Sequence, residues 1–112
     1  MIPPPSTDPV FNAEALKLLL QVAWADDQLD PKERQFVATL GPAWSVPDAV
    51  MTVLLDHLDR GKPLPQPNLK LLRTKPDAVI TTAEALMAAD GFIDSVEMEF
   101  MDQVRELLGR GD

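Results

Sequence analysis

The sequence contains no cysteine and no tyrosine, and it has only four phenylalanines, two tryptophans and one histidine. The absence of cysteine excludes disulfide bonds, thiolate zinc sites and cysteine catalysis. Few aromatic side chains beside many Leu, Ala and Met favour helices over strands. The single histidine, His57, is no catalytic signature by itself, and we expect it at the surface or the core edge. No apolar run approaches the roughly 20 residues that cross a bilayer, so we expect no membrane insertion.

Basic residues are also scarce, with ten Lys and Arg against 18 Asp and Glu and a net charge of -8. A binding surface for nucleic acid needs clustered Lys and Arg, so we expect no nucleic-acid partner. Carboxylates instead suit hard cations or a basic protein partner. The N-terminal residues lack the basic start and apolar stretch of a signal peptide. Together with the lack of cysteine, this predicts a cytoplasmic protein.

Eleven prolines divide the chain into helices, because proline is favoured at the first position of a helix. The 112 residues suffice for one domain, with residues 1–8 as a flexible Pro-rich tail. Apolar periodicity predicts helices over 9–26, 31–40, 47–59, 76–90 and 95–108, with a short helical piece over 68–73. Gly41-Pro42 should end the second helix, and Ser45 with Asp48 should form a capping box for the third. No stretch shows strand alternation, so the class is all-α.

One motif occurs twice, 64 residues apart, with the pattern A-D-x-x-[LI]-D-x-x-E-x-x-F. The copies begin at Ala25 and Ala89, and each joins an apolar helix to an amphipathic one. Neither unit could bury its apolar face alone. We therefore predict a compact helical bundle made of two pseudo-symmetric helix-turn-helix repeats, over about 9–41 and 76–109.

The acidic residues of the motifs have two interpretations. Helix capping explains four of them, because an N-cap Asp and a Glu three residues later satisfy helix N–H groups; these are Asp30, Glu33, Asp94 and Glu97. Asp26 and Asp90 instead lie at the C-terminal ends of apolar helices, where the helix dipole disfavours an anion. A cation, a basic side chain or the amides of the next helix should compensate them.

The second and more specific interpretation is that the acidic residues bind a divalent cation. Ca²⁺ and Mg²⁺ take carboxylate oxygens, and the two motifs together offer six ligands: Asp26, Asp30, Glu33, Asp90, Asp94 and Glu97. The site would not be an EF-hand, because Val37 and Met101 occupy the twelfth loop positions and cannot coordinate.

The stretches Ala25-Asp26-Asp27-Gln28-Leu29-Asp30-Pro31-Lys32-Glu33-Arg34 and Ala89-Asp90-Gly91-Phe92-Ile93-Asp94-Ser95-Val96-Glu97 resemble the TerB-like family. That family comprises the tellurite-resistance TerB proteins and the N-terminal domain of DjlA-type co-chaperones. The resemblance implies a duplicated helical bundle, metal binding by the same six acidic residues, no enzymatic activity and a part in bacterial stress response. The family favours Asp-Gly at the turn, whereas the first copy has Asp27 where the second keeps Gly91.

A basic connector and one tryptophan are candidates for contact with a protein partner. Half of the basic residues lie between Asp59 and Asp77 with no acid among them: Arg60, Lys62, Lys70, Arg73 and Lys75. The connector is either a solvated linker or a docking patch for an acidic partner. Trp24 should be core, and Trp44, in a proline-flanked loop, should be partly exposed.

The sequence thus predicts a non-enzymatic helical binding or scaffold module with a Ca²⁺ or Mg²⁺ site. Two alternatives remain. One is a metal-free protein-interaction domain whose acidic motifs cap helices, and the other is a carboxylate-metal hydrolase.

Overall fold

Six helices form the part of the chain that the structure, a computed structural model, describes: residues 2–24, 31–62, 64–88 and 97–109. They are α1 (Pro9–Trp24), α2 (Pro31–Ala43), α3 (Asp48–Arg60), α4 (Leu69–Leu72), α5 (Pro76–Ala88) and α6 (Glu97–Leu107). These ranges contain no β-strand, which confirms the all-α class. No described helix is long and apolar enough to cross a membrane.

α1 is the central helix of the bundle. Leu16, Leu18, Leu19 and Leu20 are at most 1% exposed, so the helix is buried around most of its girth. It packs against α4 and α6, while α5 packs against α6 and α2 against α3. The polar residues after its first turn, Glu14, Lys17 and Gln21, are spaced three and four residues apart and form one narrow polar stripe. The pseudo-symmetric relation between the two repeats stays a prediction.

The prolines place most helix starts as expected. α1, α2 and α5 each begin at the predicted proline. At the start of α1, the Asp8 carboxylate accepts a hydrogen bond from the Val10 N–H at 2.9 Å, as an N-cap residue does. α4 begins after Asn68, whose side chain accepts from the Leu71 N–H at 3.1 Å. The short helical piece predicted over 68–73 is therefore confirmed.

The prediction that Gly41-Pro42 ends the second helix is wrong. The helix continues through Gly41 and Pro42 to Ala43. Pro42 lies in the last turn, where its missing N–H removes only one helical hydrogen bond. The Met51 side chain of α3 packs directly on Gly41, because a Cβ there would lie 2.5 Å from the Met51 Sδ atom. Gly41 allows α2 and α3 to approach closely and does not terminate a helix.

Ser45 does not form the expected capping box with Asp48, because the N-cap of α3 is Pro47 and carries no side-chain cap bond. Ser45 instead has a φ of 58°, and its N–H donates to the Pro42 carbonyl at 3.1 Å. The Val46 N–H donates to the Gly41 carbonyl at 2.9 Å. These two bonds are those of a Schellman motif, with serine at the position that usually holds glycine.

Candidate functional site

The doubled acidic motif lies at the two junctions between helices. α1 ends at Trp24 and α2 begins at Pro31; α5 ends at Ala88 and α6 begins at Glu97. Asp26, Asp30, Asp90 and Asp94 lie outside the described residues, as do the side chains of Glu33 and Glu97. In the part of the chain that is described, no three His, Asp or Glu side chains group closely enough to hold a metal ion. The six-ligand site stays a prediction.

The last turns of α1 and α5, the helices leading into the motifs, contain no basic residue, and neither does the last turn of α2. α3, α4 and α6 each carry Lys, Arg or His there, where a cation favours the helix dipole. The two helices that precede Asp26 and Asp90 therefore supply no cation from their own last turn.

The basic connector residues are exposed, and three of them make contacts within the molecule. Arg60 pairs with Asp56, one turn earlier on α3, with Nε and Oδ1 2.9 Å apart. The Lys75 ammonium lies 5.9 Å from the centroid of the Phe11 ring, within the range of a cation–π interaction. A docking role for the connector stays a prediction.

Arg73 contacts the last helix. Its Nε and Nη2 atoms both donate to the Leu107 carbonyl of α6, at 3.0 and 2.9 Å. The carbonyls at a helix C-terminus lack intrahelical partners and carry the negative end of the dipole. Arg73 therefore caps α6 and joins it to the segment that leads from α4 into α5.

Trp44 is 0% exposed, so the expectation of partial exposure is wrong. Its indole Nε1–H donates to the Ile2 carbonyl at 3.1 Å, and the residue lies where α2 turns into α3. A buried Trp needs a partner for its N–H, and the N-terminal segment supplies it. In this conformation Trp44 offers no surface to another protein.

Asn12 is a buried polar residue whose role was not predicted from the sequence. It is 2% exposed on α1, and its amide makes four hydrogen bonds. Oδ1 accepts from the N–H and the hydroxyl of Ser6, both at 3.0 Å. Nδ2 donates to the carbonyls of Ser6 and Trp44, at 3.0 and 2.9 Å. An asparagine within an otherwise apolar stretch of α1 was the signal that could have identified it.

The predicted flexible tail is attached to the bundle by these bonds from residue 2 onward. Its mobility stays a prediction.

Glu14, on the polar stripe of α1, accepts two hydrogen bonds. The two carboxylate oxygens of Glu14 are each 2.8 Å from a donor, one from Lys17 Nζ and the other from the Asn68 N–H at the start of α4. Glu14 therefore joins α1 to the start of α4, and its side chain and that of Lys17 are mostly buried. One buried side-chain atom in the described part of the chain, Gln21 Oε1, has no hydrogen-bond partner.

One ion pair joins α2 to α3, with Arg34 Nε 2.8 Å from Asp59 Oδ1. The hydrogen bond from Arg34 lowers the pKa of Asp59, and the positive charge adds to this, while partial desolvation acts in the opposite direction. The same hydrogen bond raises the pKa of Arg34. Both side chains are almost half exposed, so the pair orients two helices at the surface.

Comparison with protein families, with curated proteins and with solved structures found no match for this chain. The TerB-like resemblance therefore depends on the two acidic motifs and the helical layout.

Proposed function

We propose that this protein is a non-catalytic helical binding module that takes a divalent cation, Ca²⁺ or Mg²⁺, at its doubled acidic motifs. The observation that carries the proposal is the charge at the helix ends. α1 and α5, the two apolar helices that precede Asp26 and Asp90, lack the basic last-turn residue that α3, α4 and α6 have. α2 also lacks one, but no acidic residue follows it before Asp48. An anion at such an end needs a positive charge from elsewhere, and a bound cation supplies it.

The helix bounds support the same conclusion. Each motif begins directly after an apolar helix, and its glutamate, Glu33 or Glu97, lies in the first turn of the next helix. A helix holds the backbone of such a ligand at a fixed position. The resemblance to TerB-like proteins supports the same type of module, and with it a role in bacterial stress response.

Calorimetric titration tests the proposal. Chelator-treated protein is titrated with Ca²⁺ and Mg²⁺, and the same titration is run on Asp26→Asn with Asp90→Asn. We expect saturable heat for the wild type and its loss in the double variant, because each substitution removes a charged ligand. The matched control is Asp48→Asn with Glu106→Gln, which changes the charge equally at two exposed positions outside the motifs.

The control should bind the cation like the wild type. If the control loses as much cation-binding heat as the motif variant, the effect is one of general charge, which would contradict a defined site. Absence of heat for the wild type with both cations would favour the metal-free interaction domain, in which the motifs serve as helix caps.

A further inference from the structure

The N-terminal segment is held on the bundle mainly through its main chain. We call residues 2–6 the strap. The Ile2 carbonyl accepts from the Trp44 indole, the Ser6 N–H donates to Asn12 Oδ1, and the Ser6 carbonyl accepts from Asn12 Nδ2. Main-chain groups are the same in every non-proline residue. The packing of Ile2 against the core and the bond from the Ser6 hydroxyl to Asn12 Oδ1 add side-chain contacts at the two ends of the strap. The bundle therefore binds the path of an extended chain, with side-chain contacts at its ends.

The bundle residues that bind the strap belong to helices and are linked to each other. Asn12 lies in α1 and is 2% exposed, and Trp44 is fully buried at the end of α2. Asn12 is further fixed by its bond to the Trp44 carbonyl at 2.9 Å. Side chains held by packing and by each other lose little entropy when they bind a chain, which favours binding.

The middle of the strap leaves space against α5. A groove of about 320 Å³ separates its three prolines from one face of that helix. The small residues of this face recur at helical spacing, and together with Asp77 they complete the lining: Ala78, Thr81, Thr82 and Ala85. The strap is thus fixed at Ile2 and Ser6, and between them its prolines do not fill the groove.

Three consecutive prolines favour an extended polyproline conformation with an unpaired, solvent-facing backbone. Grooves on several kinds of domain bind proline-rich segments, because a preformed polyproline conformation loses little entropy on binding. The strap, which Trp44 and Asn12 bind, contains such a segment.

We propose that the surface formed by Asn12, Trp44 and the outer face of α5 is a docking site for a proline-rich extended segment of a partner protein, and that the strap occupies it in the unbound protein. The strap is then an intramolecular competitor. A tethered segment acts at an effective concentration in the millimolar range. A partner displaces it by filling the groove that the prolines of the strap leave open. None of the residues that form this site belongs to the acidic motifs, and the proposal does not depend on the proposed cation binding.

Competition by a peptide tests the proposal. The probe is a synthetic peptide with the sequence of residues 2–8, added to full-length protein whose tryptophan indoles are labelled with ¹⁵N. A Trp24→Phe variant assigns the two indole signals. In Ser6→Pro the strap loses the N–H and the hydroxyl that bond to Asn12, while the added peptide keeps both. We expect the peptide to shift the Trp44 indole signal of Ser6→Pro saturably and to bind it about tenfold more tightly than the wild type.

Two controls keep the result specific. Ser6→Gly keeps the N–H and loses only the hydroxyl, so its gain in peptide affinity should be smaller; it also serves if Ser6→Pro fails to fold. A peptide with its three prolines replaced by glycine should bind more weakly, because it must be ordered on binding. No shift of the Trp44 signal at millimolar peptide in either Ser6 variant would overturn the proposal. Equal affinity for wild type and variants would overturn it as well.

Discussion

At the scale of single residues, Ser45 is the non-glycine residue with positive φ in the described part of the chain. It occupies the same position in the Schellman motif of α2 that Gly61, with a φ of 66°, occupies at the end of α3. The bonds match as well, since the Gly61 N–H donates to Leu58 and the Lys62 N–H to His57. The two helix ends thus have equivalent geometry but carry different residues. Gly61 adopts the positive φ without steric strain, whereas Ser45 does not.

We expect Ser45→Gly to raise the free energy of unfolding by about 0.5–1 kcal/mol. Relief of the left-handed conformation contributes about 1–2 kcal/mol, and the greater freedom of glycine in the unfolded chain offsets part of it. Gly61→Ser, the reciprocal change, should lower the free energy of unfolding by a similar amount. Urea unfolding measures both, and a destabilised Ser45→Gly protein would contradict the strain at this residue.

At the scale of the helical elements, the two guanidinium bonds of Arg73 join the connector to the end of α6. We expect Arg73→Ala to lower the free energy of unfolding by about 1 kcal/mol, because a charge-assisted cap is lost at an exposed site. Arg73→Lys should recover only part of this, since an ammonium lacks the planar fork. Lys70→Ala, at an exposed position on α4, is the control and should change stability by less than about 0.5 kcal/mol. If Arg73→Ala and Lys70→Ala lower the stability equally in thermal unfolding, Arg73 does not stabilise α6 as a C-terminal cap.

The ion pair between α2 and α3 predicts a pH dependence. Because the pKa of Asp59 is lowered in the folded protein, its contribution is present above the ordinary pKa of Asp, about 3.9, and is lost as pH falls through the lowered value. Asp59→Asn should therefore melt below the wild type at pH 7, and the difference should shrink as the pH falls below the ordinary pKa of Asp. Asp48→Asn serves as a control without this pair. A melting difference that persists undiminished at low pH would show that charge is not its source.

Helix existence and helix starts were predictable because proline and apolar periodicity act locally. α1, α2 and α5 begin at the expected prolines, and α3 ends at Arg60, one residue beyond the predicted range of 47–59. The role of Gly41 was not predictable, because it depends on Met51 of another helix. A glycine next to a proline predicts a helix end in sequence, whereas a tertiary contact can favour the same glycine inside the helix.

At the scale of the whole molecule, loop composition misled the prediction for Trp44. Flanking prolines and polar residues indicate exposure, yet the N-terminal segment covers this corner and supplies the carbonyl for the indole. The connector shows the same limit of sequence-based prediction. Its cluster of five basic residues was visible in the sequence, but the groups that Arg60, Arg73 and Lys75 contact in the folded protein were not. The acidic motifs remain predictions, drawn from the sequence repeat and the helix dipole.

The measurement that tests the central claim most directly is the melting temperature of chelator-treated protein with and without Ca²⁺ or Mg²⁺. A ligand that binds only the folded protein stabilises it by about 2.7 kcal/mol at one hundred times its Kd, which corresponds to a rise of roughly 10 °C for a chain of this size. We predict this rise with at least one cation for the wild type and its absence in Asp26→Asn with Asp90→Asn. An unchanged melting temperature of the wild type with both cations, or an equal rise in the double variant, would contradict cation binding at the doubled acidic motif.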